Sequence, residues 1–348
     1  MRTSRACRGC LERPLPSASK IRRRVWRSAA IATFALALLA GREARADRAT
    51  TSPEQGYDLG DMQNPRSIAF GGAQTALGVS TVALYENPAN LPLARVYHFE
   101  AMAAVSPEAR RQSYGGAVVD SNTSRLAGGF AGTWNIMDPD GIHRTWTDLR
   151  LTLAYPLGDK ISAGVTGRYL RAAQSLGEGP LGPSFASDGT GGSPISNQFT
   201  FDVGASVTPA QGVHIGLVGK NLTNPGIGLA PTQVKGGIGY TNETFSVEAD
   251  GLADFTTWSR TRGRLMVGGE LFVAQHFPIR LGYRYDDGMR THAVSAGGGY
   301  VDRKWSFELS ARRDVVGDNP STIIGASIRY FYEAGAANPA DDGDQIGY

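Results

Sequence analysis

The chain has 348 residues, 45 of them glycine, with 19% charged and 41% apolar side chains. That apolar share is too high for a disordered chain, yet no mature stretch supplies the roughly 20 consecutive apolar residues of a membrane-crossing helix. The net charge of +3 comes from the first 46 residues, which hold 11 of the 35 Lys and Arg and 2 of the 32 Asp and Glu; the rest carries 24 basic and 30 acidic groups, a charge of −6. Nucleic-acid binding needs a basic patch in the working protein, so no nucleic-acid partner is expected.

At the N-terminus, Arg22, Arg23, Arg24 and Arg27 lead into the apolar run Ser28 to Ala40, followed by Ala44-Arg45-Ala46. A basic stretch, an apolar stretch and a small-x-small site in that order predict a signal peptide over residues 1–46, cleaved after Ala46. Both cysteines, Cys7 and Cys10, leave with it. The mature chain is therefore expected to carry neither a disulfide framework nor a thiolate metal site, which suits an oxidising periplasm.

Residues 47–96 lack the regular alternation of the chain beyond Tyr97. Gly71-Gly72 permits a tight turn, Val82 to Tyr85 forms a short apolar face, and Asn87-Pro88 is expected to end it, because a residue before proline is biased away from helix. Phe70, Leu77, Leu84 and Tyr85 are the side chains expected to bury.

From Tyr97 onward apolar and polar residues alternate. The clearest case is Thr147 to Tyr155, where Leu149, Leu151, Leu153 and Tyr155 alternate with Asp148, Arg150 and Thr152; Phe245 to Asp250, Ile279 to Asp286 and Trp305 to Ser310 repeat the pattern. A period of two gives a strand one dry face and one wet face. Fourteen strands are predicted, beginning near Tyr97, Ser113, Arg125, Thr145, Lys160, Asn197, Gln211, Thr232, Thr244, Gly263, Phe277, Thr291, Lys304 and Ser321.

A soluble β-sandwich would alternate in the same way, and the loops separate the two. Connections after even-numbered strands are tight (120–124, 156–159, 208–210, 241–243, 275–276, 302–303). Those after odd-numbered strands are mostly longer (135–144, 172–196, 221–231, 251–262, 314–320), with 286–290 the short exception. Short turns on one rim and long loops on the other predict an all-β, transmembrane, antiparallel up-and-down barrel spanning 97–332, in a Gram-negative outer membrane with both termini periplasmic.

A charge on the lipid face at mid-membrane costs roughly 2–4 kcal/mol, so Asp148, Arg150, Arg168, Asp202, Lys220, Glu248, Asp250, Glu270, Arg280, Arg284, Glu308 and Arg329 are expected to face the lumen. Their interspersed signs favour compensating pairs over a selective ring, which would segregate the charges. Trp134, Trp146, Trp258, Trp305, Tyr155, Tyr240, Tyr285 and Tyr300 fall near strand ends, as aromatic girdles do. In the long loop 172–196, Leu176, Leu181 and Phe185 are candidates for capturing a ligand. Residues 333–348 are acidic and rich in Ala and Gly, and are expected to form a disordered tail.

Enzymatic signatures are weak. There is no Gly-x-Ser-x-Gly elbow, and His98, His143, His214, His276 and His292 lack metal-ligand spacing. Asp138-Pro139-Asp140-Gly141 reads as a turn, since the later calcium ligands are missing. No catalytic residue, metal or cofactor is expected.

The stretch Asn64-Pro65-Arg66-Ser67-Ile68-Ala69-Phe70-Gly71-Gly72-Ala73, followed by Ser80-Thr81-Val82-Ala83-Leu84-Tyr85-Glu86-Asn87-Pro88-Ala89-Asn90-Leu91, resembles the mature start of the superfamily of the fatty-acid transporter FadL and its PorV/PorQ-like relatives. The shared elements are Gly-Gly-Ala and Tyr-x-Asn-Pro-Ala, and the fourteen-strand layout agrees over the rest of the chain. The resemblance implies that residues 47–96 fold inside the barrel as a hatch, with Gly71, Gly72, Leu84, Tyr85, Asn87, Pro88 and Ala89 at the gate. Two departures stand out: Glu86 replaces a frequent aromatic, and Asn90 replaces the usual Gly. Two functions are implied. One is passive uptake of hydrophobic, fatty-acid-like small molecules by a monomer embedded in outer-membrane lipid. The alternative is a non-conducting barrel, as in the PorV-like branch, serving a partner protein in secretion or envelope assembly.

Overall fold

A strand with large apolar side chains at every second position and charges between them has only one inexpensive placement in a membrane. In the computed structural model, which describes residues 64–137, 144–173, 194–226, 229–317 and 320–332, the chain takes it. Fourteen strands form one closed antiparallel barrel. They are β1 (Tyr97–Ser106), β2 (Arg111–Asp120), β3 (Ala127–Met137), β4 (Arg144–Pro156), β5 (Ile161–Ala173), β6 (Pro194–Ala210) and β7 (Val213–Lys220), then β8 (Gln233–Thr241), β9 (Phe245–Asp254), β10 (Arg262–Val273), β11 (Phe277–Asp286), β12 (Thr291–Val301), β13 (Trp305–Val316) and β14 (Thr322–Phe331).

Each strand pairs with its neighbours in sequence, and β1 closes the ring on β14 with Phe99 opposite Tyr330 and Glu100 opposite Arg329. Every strand begins within three residues of its expected start. The expected signal peptide, residues 47–63, the segment 138–143, the loop carrying Leu176, Leu181 and Phe185, and the tail from Glu333 lie outside the described residues.

Burial is inverted relative to a water-soluble protein. Phe199, Leu151 and Leu281 are 65%, 59% and 58% exposed on the outer wall, while Asp148, Arg280 and Glu308 are each 2% exposed inside. Hydrocarbon cannot hydrogen-bond, so closing the ladder satisfies every backbone group in the span and leaves no open edge. Aromatic side chains gather where the tight turns lie: Tyr240 meets Phe245 at 5.7 Å, Phe277 meets Tyr300 at 5.5 Å, Trp305 meets Tyr330 at 4.7 Å and Tyr97 meets Tyr332 at 5.5 Å. Side-chain caps set these turns. Asp120 Oδ1 accepts from the backbone of Asn122 and Thr123, and Asn242 Oδ1 accepts from that of Thr244 and Phe245, an arrangement that replaces backbone pairing at a bend.

Two expectations need correction. The β1–β2 connection, 107–110, is as short as 287–290, so the long-loop rim has two tight turns. Trp146 is no girdle residue: it is buried and packs with Met137, Leu170, Ala172 and Ala230, because it shares the lumenal phase of β4 with Asp148 and Arg150.

Leu151→Arg, in the middle of the outer face of β4, should destabilise the barrel by roughly 2–4 kcal/mol, and Leu157→Arg, in the turn after β4, by about 0–1 kcal/mol. Urea-dependent folding into lipid vesicles measures both, and equal costs would contradict this placement of the bilayer.

Candidate functional site

Residues 64–96 contain two Asn-Pro pairs, and each starts a short turn of helix. The Asn64 side chain accepts from Arg66 N at 2.9 Å ahead of α1 (Pro65–Ala69), and that of Asn87 accepts from Ala89 N at 3.1 Å ahead of a 3-10 turn, Pro88–Leu93. Asn as N-cap with Pro at the first helical position satisfies one orphan N–H and removes another. Asn87-Pro88 thus follows the 3-10 turn Ser80–Leu84 and also opens the next one. Gly71 and Gly72, at φ +66° and +95°, turn the chain after α1 in the left-handed region that suits glycine.

Among the described residues, this segment adds no strand to the sheet, so its backbone groups must find partners elsewhere. Lumenal side chains supply them. Asp250 Oδ2 accepts from the backbone N–H of Gln74 and Thr75, both at 3.0 Å, and Glu248 from those of Ala76 at 2.5 Å and Leu77 at 3.1 Å. Four successive N–H groups facing two carboxylates form a compact charge-assisted contact.

Carbonyls are met by cations and hydroxyls. Arg150 donates to Leu84 O and Tyr85 O, both at 3.3 Å, with its guanidinium 4.9 Å from the Tyr85 ring centroid. Lys220 donates to Tyr85 O at 2.8 Å and Lys235 to Gly72 O at 2.6 Å. Ser162 donates to Ala89 O at 2.7 Å, and Ser295 to Ala69 O at 2.9 Å.

Both departures from the family pattern take part. Glu86 lies 2.8 Å from Lys235 and 3.7 Å from Lys220, and Asn90 Nδ2 donates to Thr75 O and Gly78 O, folding the segment onto itself.

The other lumenal charges meet mainly as pairs. Arg150 stands opposite Arg168 in the β4–β5 register, and Asp148 bridges them at 2.8 and 2.7 Å. Arg280 joins Glu270 at 2.5 Å to Glu308 at 2.9 Å, Arg66 reaches Glu270 at 2.9 Å, and Arg329 pairs with Glu100 at 3.1 Å. Arg284 lies elsewhere, toward the long-loop rim beside Arg111 and Arg312. Phe70, Leu77, Leu84 and Tyr85 are all buried.

The sequence reading missed Lys235, whose lumenal phase is masked by neighbouring glycines in β8, and it missed the role of glycines on the inner wall. A Cβ on Gly164, Gly204, Gly216, Gly239, Gly268 or Gly282 would lie closer than 3.0 Å to Pro88, Asn87, Thr75, Leu77 or Phe70. These positions share the inward phase of their strands, and that phase is the signal that finds them.

Gly282→Ala and Gly204→Ala should therefore lower barrel stability by about 1–3 kcal/mol through overpacking. Gly251→Ala, where a Cβ meets nothing within 4 Å, should be neutral or slightly stabilising. Unfolding midpoints of the three variants decide; a rise for Gly282→Ala to match Gly251→Ala would contradict the close approach.

No protein-family model matches the sequence, and no curated protein does. Solved structures match its fold. A FadL homologue from Pseudomonas aeruginosa superposes with a TM-score of 0.57 at 13% identity, covering 78% of this chain and 98% of that one. The monoaromatic hydrocarbon channel CymD gives 0.57 at 12% identity over 78% and 98%. The Pseudomonas putida toluene transporter TodX gives 0.55 at 16% identity over 76% and 96%. The chain thus has the fold of the FadL-type barrels, in line with the resemblance in its motifs.

Proposed function

We propose that this protein is an outer-membrane channel for small hydrophobic molecules, with residues 64–96 as a hatch that closes the lumen and shifts to let a ligand pass. The observation that carries the reading is the independence of the two parts. The barrel closes β1 on β14 without the inner segment, so the segment can let go of the wall while the ladder stays whole.

The long-loop end of the lumen also holds a buried apolar cluster. Met137, Trp146, Leu170, Ala172 and Ala230 cluster at the long-loop ends of β3, β4 and β5 and the loop after β7, on the side from which a ligand would enter. Barrels of the same fold include a toluene transporter and a monoaromatic hydrocarbon channel. A fatty acid or an aromatic hydrocarbon is the ligand class we favour. Hatch and wall are joined by discrete ion pairs and hydrogen bonds and by the apolar packing of Leu84, Tyr85 and Leu91 against Met102 and Val119. The pairing of Glu86 with Lys235 and Lys220 holds the hatch beside the gate residues Tyr85 and Asn87.

The density of these contacts also favours the second reading, a permanently sealed barrel that serves a secretion or assembly partner. Uptake separates the two. Deleting the gene should slow entry of a labelled long-chain fatty acid or of toluene several-fold, and returning the Glu86→Gln variant should restore uptake to at least the native rate. Unchanged uptake after deletion, with a protein recovered in stoichiometric amount on the purified barrel, would assign the chain to envelope assembly.

A further inference from the structure

A void lies at the opposite rim from the Met137–Trp146 cluster, against the inner segment. Its wall includes Phe245, which opens β9 directly after a tight turn, and Phe272, which stands next to last in β10; the void therefore sits at the short-turn rim. Leu77, Val79 and Leu93 of the inner segment complete the apolar lining. About 680 Å³ of empty space lies within it, open solvent at its mouth included.

Six polar residues line this void, Arg66, His214, Thr241, Asn242, Ser246 and Glu270, and three of them bear most directly on what it would hold. Ser246 lines it, and its buried hydroxyl has no hydrogen-bond partner; the same is true of Nε of Arg66, another lining residue. Buried polar groups are normally satisfied, so an unpartnered pair at a cavity marks a place for a ligand oxygen. The third, Glu270, belongs to a chain of charges that is already balanced: Arg66 pairs with Glu270, Glu270 with Arg280, and Arg280 with Glu308, two cations against two carboxylates. An added carboxylate would bring an uncompensated charge into a buried site, whereas a neutral oxygen would not.

We infer that this void is a binding site for a single-ring aromatic molecule bearing one neutral oxygen, of which a phenol is the simplest. The ring packs against Phe272, Leu77, Val79 and Leu93, and the oxygen meets the Ser246 hydroxyl and the Arg66 Nε–H. The site lies apart from the cluster at the long-loop rim, and it does not require the inner segment to move.

The test uses the full chain in lipid nanodiscs, with 4-fluorophenol, fluorobenzene and 4-fluorobenzoate followed by fluorine NMR. Native protein should bind 4-fluorophenol saturably, fluorobenzene more weakly and 4-fluorobenzoate not at all. Ser246→Ala should weaken 4-fluorophenol by roughly 3–10-fold, the value of one neutral hydrogen bond, and leave fluorobenzene unchanged. Phe272→Trp, which fills the void, should abolish both. Heat-modifiable gel mobility verifies that each variant is folded, and Ser246→Ala alone carries the test if Phe272→Trp is not. Partitioning no greater than into empty nanodiscs, insensitivity to Ser246→Ala, or equal binding of 4-fluorobenzoate would overturn the assignment. Loss of the uptake phenotype with 4-fluorophenol binding intact would sink the transport reading and leave this site standing.

Discussion

Hydrocarbon offers no hydrogen bonds, and the rest of the molecule is arranged around that fact. It requires the strands to satisfy one another completely, which closes the ring from β1 to β14. It also turns the alternate side chains inward, so that residues such as Asp148, Arg280 and Glu308 lie buried in the lumen. An interior lined this way cannot be filled by an apolar core alone. It needs either water or a partner rich in polar groups.

Residues 64–96 are such a partner. Their short helical turns and left-handed glycines leave many backbone N–H and C=O groups without internal partners, and the wall meets those groups with carboxylates, cations and hydroxyls. Breaking a buried ion pair one partner at a time is costly, yet such pairs add little net stability over a well-packed apolar alternative. Contacts of this kind fix a position well while leaving the ladder untouched. The close fit then depends on what is missing: inward-facing glycines such as Gly204 and Gly282 let the inner backbone approach the wall.

Strand number and position were legible because lipid enforces the period of two on every strand, and the loop lengths reported the up-and-down order. Trp146 was misassigned because nearness to a strand end was weighed above its phase, which matches that of Asp148. The β1–β2 turn was overlooked because it belongs to the rim of longer loops. Inside the barrel legibility fell. The inner segment follows no period, so Asn64-Pro65 and Asn87-Pro88 declared themselves as paired caps only once the turns were seen. Glu86 stood out in sequence as a departure, but its partners lie in β7 and β8, far along the chain, and only the closed ring brings Lys220 and Lys235 beside it.

The central claim is that the barrel closes by itself and the inner segment closes the lumen. Single-channel recording of a variant lacking residues 64–93 tests this most directly. The account predicts that the variant folds with heat-modifiable mobility, inserts into a planar bilayer and conducts steadily where the native protein is nearly silent. Failure to insert, or insertion with a lumen as closed as the native one, would contradict it.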